Sequence, residues 1–161
     1  EVKKVSQEYY RENCYDIYEA SMHSYELTPI TRERFEKVQR DIEKREDIVL
    51  MVDTFYQKVQ QDELIGPIFN SRIAPEAWPA HLDRMYTFWT TILLNQPGYS
   101  GQPFEKHRDM PIHKAHFERW VNLFKALVDS LFEGPIANEA KYRAELMGHL
   151  FLAKLEKGRL T

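Results

Sequence analysis

Apolar residues recur at helical spacing along almost the whole of this 161-residue chain. Nowhere do apolar and polar residues alternate in the sustained two-residue period, bounded by hairpin turns, that predicts β-strands. The pattern therefore predicts an all-α fold. A length of 161 residues with 43% hydrophobic content suits one domain with one main core.

Capping and loop residues divide the first part of this pattern into two predicted helices. Residues 5–22 are predicted to form a helix with one apolar stripe. The next predicted helix carries Phe35, Val38 and Ile42 on its apolar side. Asp47 is a plausible N-cap for a third helix.

The later helices are bounded by proline and glycine. The third helix ends before Gly66-Pro67, and the most apolar helix runs from Trp78 to Leu94. Two further amphipathic helices begin near Lys114 and after Gly134-Pro135.

Charge, cysteine content and hydropathy restrict the function. The net charge is −3 and the charged residues are interleaved, so no basic stripe predicts binding to nucleic acid. The uncharged run 85–104 turns into loop residues after Leu94, so we expect a soluble, cytoplasmic protein and no membrane partner. Cys14 is the only cysteine, which excludes an intramolecular disulfide and a Cys-x-x-Cys-His attachment for covalent haem.

Six histidines beside one cysteine favour haem or a histidine-rich metal site over zinc held by thiolates. His113 and His116 are three residues apart and could bind zinc or another divalent ion, although no Glu-x-x-His pair joins them. A helical scaffold without haem is the remaining alternative.

Several short motifs occur in the order seen in group III truncated haemoglobins, and the chain resembles that family over about two thirds of its length, from Asp47 to Leu155. These motifs are Phe55-Tyr56, the stretch 64–70, Trp78-Pro79-Ala80-His81, Phe88-Trp89, the loop 99–103 ahead of His107, and the stretch 116–120. The resemblance implies a globin-like, two-over-two helical sandwich around non-covalently bound haem b.

The resemblance also assigns roles to four residues. It implies that His107 is the proximal ligand of the iron and that Tyr56 and Trp120 donate hydrogen bonds to a bound diatomic ligand. His81 matches the distal histidine and acts as a gate, a donor or a sixth iron ligand. From the residues alone, the pattern favours an ordinary exposed loop histidine for His107. The same holds for Tyr56 and Trp120 as core aromatics and for His81 as a surface histidine.

Further residues are predicted to contact the haem on the strength of the same resemblance. They are Phe55, Phe69, Met85, Phe88, Trp89, Ile112, Phe117 and Met147. Arg84 is our candidate partner for a haem propionate, with Lys106 and Arg108 as alternatives.

Several donors around one bound ligand slow its escape, so we expect binding or redox handling of O2, NO or CO rather than bulk oxygen transport. The alternatives are a haem enzyme, of peroxidase or nitric oxide dioxygenase type, supplied by an external reductase, and a haem-based sensor. A ligand-binding protein, an enzyme and a sensor would all use the same haem pocket, so the motifs do not distinguish among these three functions.

Residues 1–43 precede the globin domain, predicted at 44–161, and hold five of the nine tyrosines. We expect this extension to pack on the domain, where it covers an exposed face. A homodimer contact and a gate over a ligand tunnel are the alternatives, and a sensor would act through this segment.

Overall fold

The structure is a computed structural model that describes residues 39–160, and no β-strand forms within that range. The α-helices are α1 (Arg45–Gln61), α2 (Gly66–Arg72), α3 (Trp78–Leu94), α4 (Lys114–Leu131) and α5 (Pro135–Arg159). Single 3₁₀ turns lie at Pro75–Ala77 and Glu105–His107. The predicted all-α class is confirmed, whereas the short helix α2 was not predicted.

The four long helices form two layers. Helix α1 packs against α3 and α4, and α4 packs along α5. Because the α1 and α3 pair lies over the α4 and α5 pair, the predicted two-over-two arrangement is confirmed. None of the helices described in residues 39–160 is long and apolar enough to cross a membrane.

The start of α1 differs from the prediction. Lys44 occupies the N-cap position, and Asp47 lies at the third helical position. The Asp47 carboxylate accepts the backbone N–H groups of Glu43 at 2.9 Å and Lys44 at 3.1 Å. A carboxylate in the first turn thus satisfies the N–H groups that precede the helix, which is the role that an acidic side chain has in a capping box.

The segment ahead of α1 lies outside any helix and packs on the start of α5. Ile42 was predicted on a helix, but it lies outside any helix and is 2% exposed. The Asp41 carboxylate accepts the backbone N–H groups of Ile136 at 3.0 Å and Ala137 at 2.8 Å, which satisfies donors at the start of α5. The predicted helix over 5–22 and residues Phe35 and Val38 lie outside the described residues.

The apolar core consists of two clusters. The larger one joins α1, α3, α4 and the first half of α5 and includes the fully buried Met51, Phe124 and Leu127. The smaller one is built on Ile112, Phe117 and Leu155, with further apolar side chains from α5 and the loop before α4. Two clusters instead of one continuous core leave room for a cavity between them.

Candidate functional site

A cavity of about 780 Å³ is lined by residues of both apolar clusters and of the loop 98–107. Its volume falls in the range of roughly 300–1,000 Å³ that is typical of sites for small organic ligands and cofactors. The wall is mainly apolar, with a few polar side chains. This is the character expected of a pocket that buries a large, flat, apolar group.

Every residue predicted from the sequence to contact the haem or its ligand lines this cavity, except Phe55. The lining residues are Tyr56, Phe69, His81, Arg84, Met85, Phe88, Trp89, His107, Ile112, Phe117, Trp120 and Met147. Phe55 instead forms a layer behind the wall, with its ring centroid 5.2 Å from Tyr56 and 5.7 Å from Trp120. Consecutive residues of an α-helix point about 100° apart, so only Tyr56 of this pair faces the cavity.

His107 ends the 3₁₀ turn Glu105–His107 and is held from one side of its ring. Its Nδ1 donates a hydrogen bond to the Pro103 carbonyl at 2.6 Å, which leaves Nε2 with a lone pair. The ring of Phe151 lies against the imidazole with centroids 5.1 Å apart. Burial lowers the pKa of His107, although the bond to Pro103 partly opposes this effect. A neutral, oriented imidazole is the form that binds a metal.

Tyr56 and His81 form one aromatic group with Trp78. The centroids of Tyr56 and His81 are 5.1 Å apart and their rings are nearly perpendicular. The ring centroid of Trp78 lies 5.8 Å from that of Tyr56 and 5.6 Å from that of His81. Burial raises the pKa of Tyr56 above its ordinary value, so its hydroxyl keeps its proton and can donate a hydrogen bond.

The Nε2 atom of His81 is buried and has no hydrogen-bond partner within residues 39–160. Burial, together with the positive charge of Arg84 and Lys106, lowers the pKa of His81 to about 4. A buried polar atom without a partner is rare in proteins and indicates a missing ligand or water. His81 therefore presents a neutral, unsatisfied imidazole in the cavity wall.

Trp120 is oriented by a stack of aromatic rings. It stacks on Phe124 with centroids 5.9 Å apart, and Phe124 stacks on Trp89 at 4.9 Å. The planes of both pairs lie within 13° of parallel. Because Phe124 is fully buried, this stack holds the Trp120 indole in a defined orientation in the wall.

Three cationic side chains with exposed positions line the cavity: Arg72, Arg84 and Lys106. Arg84 was predicted here and Lys106 was its alternative. Arg108, the other alternative, does not line the cavity and pairs with Glu105 at 2.6 Å. Arg72 was not predicted from the sequence, because α2, the helix that carries this residue, was not predicted.

Phe151 is a second lining residue that was not predicted from the sequence. It lies on α5 one turn after Met147, which was predicted. The spacing of four residues on one helix was visible in the sequence and could have added Phe151 to the prediction.

The alternative zinc site at His113 and His116 is not formed. The backbone N–H of His113 donates to Nδ1 of His116 at 2.9 Å. Among residues 39–160, no group of three or more His, Cys, Asp or Glu side chains could hold a metal ion.

The residues of the cavity fit a haem group. Apolar walls suit the porphyrin, the free Nε2 of His107 suits the iron, and the cations suit the propionates. His81 supplies an unsatisfied polar atom. A two-over-two helical domain with a cavity of this kind defines the class of protein as a globin.

Comparisons with known proteins agree with this class. The model of the family described as bacterial-like globin matches residues 40–150. The chain is 34% identical over 116 residues to group 3 truncated hemoglobin ctb of Campylobacter jejuni, a match that covers 70% of this chain and 91% of that protein. A crystal structure of group III truncated hemoglobin from Campylobacter jejuni superposes with a TM-score of 0.67 at 32% identity, covering 73% of this chain and 94% of that one.

The chain belongs to the bacterial-like globin family. Membership in this family implies that the protein binds haem.

Proposed function

We propose that the protein binds haem b non-covalently, that Nε2 of His107 would hold the iron, and that the bound haem would take up O2, NO or CO. The observation that carries the proposal is the hydrogen bond from His107 Nδ1 to the Pro103 carbonyl, 2.6 Å long. This bond fixes the tautomer and the orientation in which Nε2 is available as a ligand. The single cysteine, Cys14, supports the non-covalent form, since no Cys-x-x-Cys-His attachment exists.

Haem iron, when bound, supplies the coordination site for a diatomic ligand and the capacity to exchange electrons. The chain contributes hydrogen-bond donors to this site. The Tyr56 hydroxyl keeps its proton because burial raises its pKa, and the Trp120 indole N–H is held by the stack on Phe124. His81 adds an imidazole whose Nε2 lacks a partner within residues 39–160.

These donors favour retention of a ligand over its rapid release. A net hydrogen bond contributes about 1 kcal/mol, and more when the acceptor carries negative charge. Each such bond slows dissociation by roughly five- to tenfold, because about 1.4 kcal/mol corresponds to a factor of ten. We therefore propose a role in oxygen binding or redox handling rather than in bulk transport.

Ligand kinetics of the haem-loaded full chain test this proposal. Tyr56→Phe keeps the ring packing against His81 and removes only the hydroxyl, so we expect O2 release to accelerate by about tenfold. Tyr142→Phe is the matched control, because Tyr142 is 58% exposed on α5 and does not line the cavity. Equal release rates in the wild type and in both variants would contradict the proposed polar ligand site.

A second candidate function is peroxidase-like turnover, favoured by the state of His81. With its pKa lowered to about 4, the His81 imidazole stays neutral near pH 7, so the ring nitrogen without a proton can accept one from a peroxide. Such a cycle requires an external electron donor. Steady-state peroxide reduction with a chemical reductant, compared between the wild type and His81→Leu, tests this role. We expect a loss of at least tenfold on substitution, and unchanged turnover would remove the candidate.

A further inference from the structure

Helix α5 carries an exposed apolar stripe that no described element covers. Five large apolar side chains are exposed within residues 39–160, and three of them lie on α5: Tyr142 at 58%, Leu146 at 37% and Leu150 at 49%. Their spacing of four residues places them on one face of the helix. The stripe extends over about 12 Å, at 1.5 Å per residue.

The chain enters the described domain next to this helix. The Arg40 carbonyl accepts the backbone N–H of Glu133 at 3.1 Å, and Asp41 caps the start of α5 through Ile136 and Ala137. Residues 1–38 therefore connect to the domain at the N-terminal end of the helix that bears the stripe. Tyr142 follows Ile136 by six residues, which is about 9 Å along the helix axis.

Residues 5–22 are predicted from their periodicity to form an amphipathic helix with Tyr10, Cys14, Ile17, Tyr18 and Met22 on one face. This face extends over about 18 Å, which is long enough to cover the exposed stripe of about 12 Å. The sixteen residues 23–38 span about 24 Å when helical and up to about 50 Å when extended. Leu150, at the far end of the stripe, is about 21 Å along α5 from Ile136, so the stripe is within reach in either conformation.

The charges of the two segments are complementary. Residues 5–22 contain four acidic side chains and one basic one, a net charge of −3. Helix α5 contains five basic and three acidic side chains, a net charge of +2. Attraction between the opposite net charges favours association of the two segments. Repulsion between like charges disfavours the pairing of either segment with a second copy of itself.

We propose that residues 5–22 dock in cis on the stripe formed by Tyr142, Leu146 and Leu150. Docking removes this apolar surface from water, which is favourable at about 25 cal/mol per Å² buried. Met147 and Phe151 of the same helix line the cavity, and Phe151 contacts His107. The docked segment would therefore pack on the outer face of the helix that contacts His107.

Cys14 makes the proposal directly testable, since it is the only cysteine and lies on the predicted apolar face. In the full chain, Leu146→Cys and Leu150→Cys each introduce one partner on the stripe. Disulfides form only when the Cα atoms lie about 4.4–6.8 Å apart. The matched control is Ala80→Cys, which places a cysteine at an exposed position on α3.

The expected result is a monomeric, intramolecular disulfide that forms in at least one stripe variant at least tenfold faster than in the control. Mass spectrometry after mild oxidation at low protein concentration gives the link, and light scattering gives the oligomeric state. Rates equal to the control in both stripe variants would overturn the proposal. Disulfide-linked dimers alone would also overturn it, because the occupant of the stripe would then be a second copy.

Hydrogen exchange gives a second readout that needs no cysteine. Leu146→Lys combined with Leu150→Lys places two charges on the stripe without altering the buried side of α5. We expect amide exchange in residues 5–22 to accelerate at least tenfold in this variant relative to the wild type. Exchange that does not change would contradict docking on this face, and neither readout depends on the proposed haem function.

Discussion

The guanidinium of Arg40 donates to both carboxylate oxygens of Asp47, with Nη2 to Oδ1 at 2.6 Å and Nη1 to Oδ2 at 3.0 Å. The Asp47 side chain is only 3% exposed, whereas that of Arg40 is 24% exposed. This pair joins the segment that enters the domain to the first turn of α1. It also satisfies a carboxylate that would otherwise be costly to bury.

Replacing Asp47 with Asn is expected to lower the free energy of unfolding by roughly 3 kcal/mol, because the change removes the buried carboxylate of the pair and leaves Arg40 only the longer contact with the exposed Glu43, at 3.8 Å. Urea unfolding at pH 7 measures the change. Glu118→Gln is the control, because it removes an exposed ion pair with Lys114 at 3.7 Å and should cost less than about 1 kcal/mol. Equal effects of the two substitutions would contradict the structural role of Asp47.

The same pair predicts a dependence of stability on pH. Although burial acts to raise it, hydrogen bonds from Arg40 and the backbone of Glu43 lower the pKa of Asp47 below 3.8. The unfolded state therefore takes up this proton first as the pH falls. The stabilisation is fully present above the unfolded pKa, near pH 4, and is lost as the pH falls through the lower folded value.

We therefore expect the stability difference between the wild type and Asp47→Asn to stay constant from pH 7 to about pH 5 and to shrink below pH 4. Urea unfolding at a series of pH values measures it. A difference that stays constant down to pH 2.5 would show that folding does not lower the pKa of Asp47.

Gly134 allows the close contact between the entering segment and the start of α5. Its φ is +148°, and a Cβ built there would lie 2.4 Å from Cγ of Asp41. Gly134→Ala is expected to lower stability by about 1–3 kcal/mol from backbone strain, with the steric clash in addition. Thermal unfolding measures this loss.

The control for Gly134 is Gly158→Ala near the end of α5, where a Cβ would meet no atom within 4 Å. Alanine there is expected to be neutral or to stabilise by up to about 1 kcal/mol, because it has the higher helix propensity. A loss of stability in Gly158→Ala as large as that in Gly134→Ala would refute the explanation from strain.

The long helices could be predicted from the sequence because each carries its own apolar period and its own boundary residues. Helix α3 was predicted at its observed bounds, Trp78–Leu94, since Pro79 fits the first turn and Asn95 adopts a left-handed conformation after the last residue. The short helix α2 has only seven residues. A helix of this length is too short for periodicity to identify.

Contacts between distant segments could not be predicted in the same way. Asp41 caps a helix that begins more than ninety residues later, and no local pattern links the two. Phe55 was assigned to the pocket with Tyr56 because neighbours in a motif are easily assigned together. The helical rotation between them instead directs Phe55 towards Phe124, with centroids 5.2 Å apart.

The cations at the edge of the cavity give a prediction about haem retention. Under the proposed function, Arg84→Met and Arg72→Met should each raise the rate of haem loss by about threefold, because each removes one partly exposed charge partner of a propionate. The rate is measured by transfer of haem to an excess of a scavenging apoprotein.

The effect of these substitutions should decrease at high salt, where exposed charges are screened. Arg108→Met is the control, since Arg108 pairs with Glu105 and does not line the cavity. Rates of haem loss that are identical in all three variants would exclude the cavity cations from haem retention.

The most direct test of the central claim is the absorption spectrum of haem-loaded His107→Gly with and without added imidazole. We predict that this variant loses the wild-type Soret band of its ferrous carbon monoxide complex and regains it in millimolar imidazole, which takes the place of the missing side chain. His113→Gly, an exposed histidine, should keep the wild-type spectrum throughout. A His107→Gly spectrum identical to that of the wild type without imidazole would show that His107 does not bind the iron.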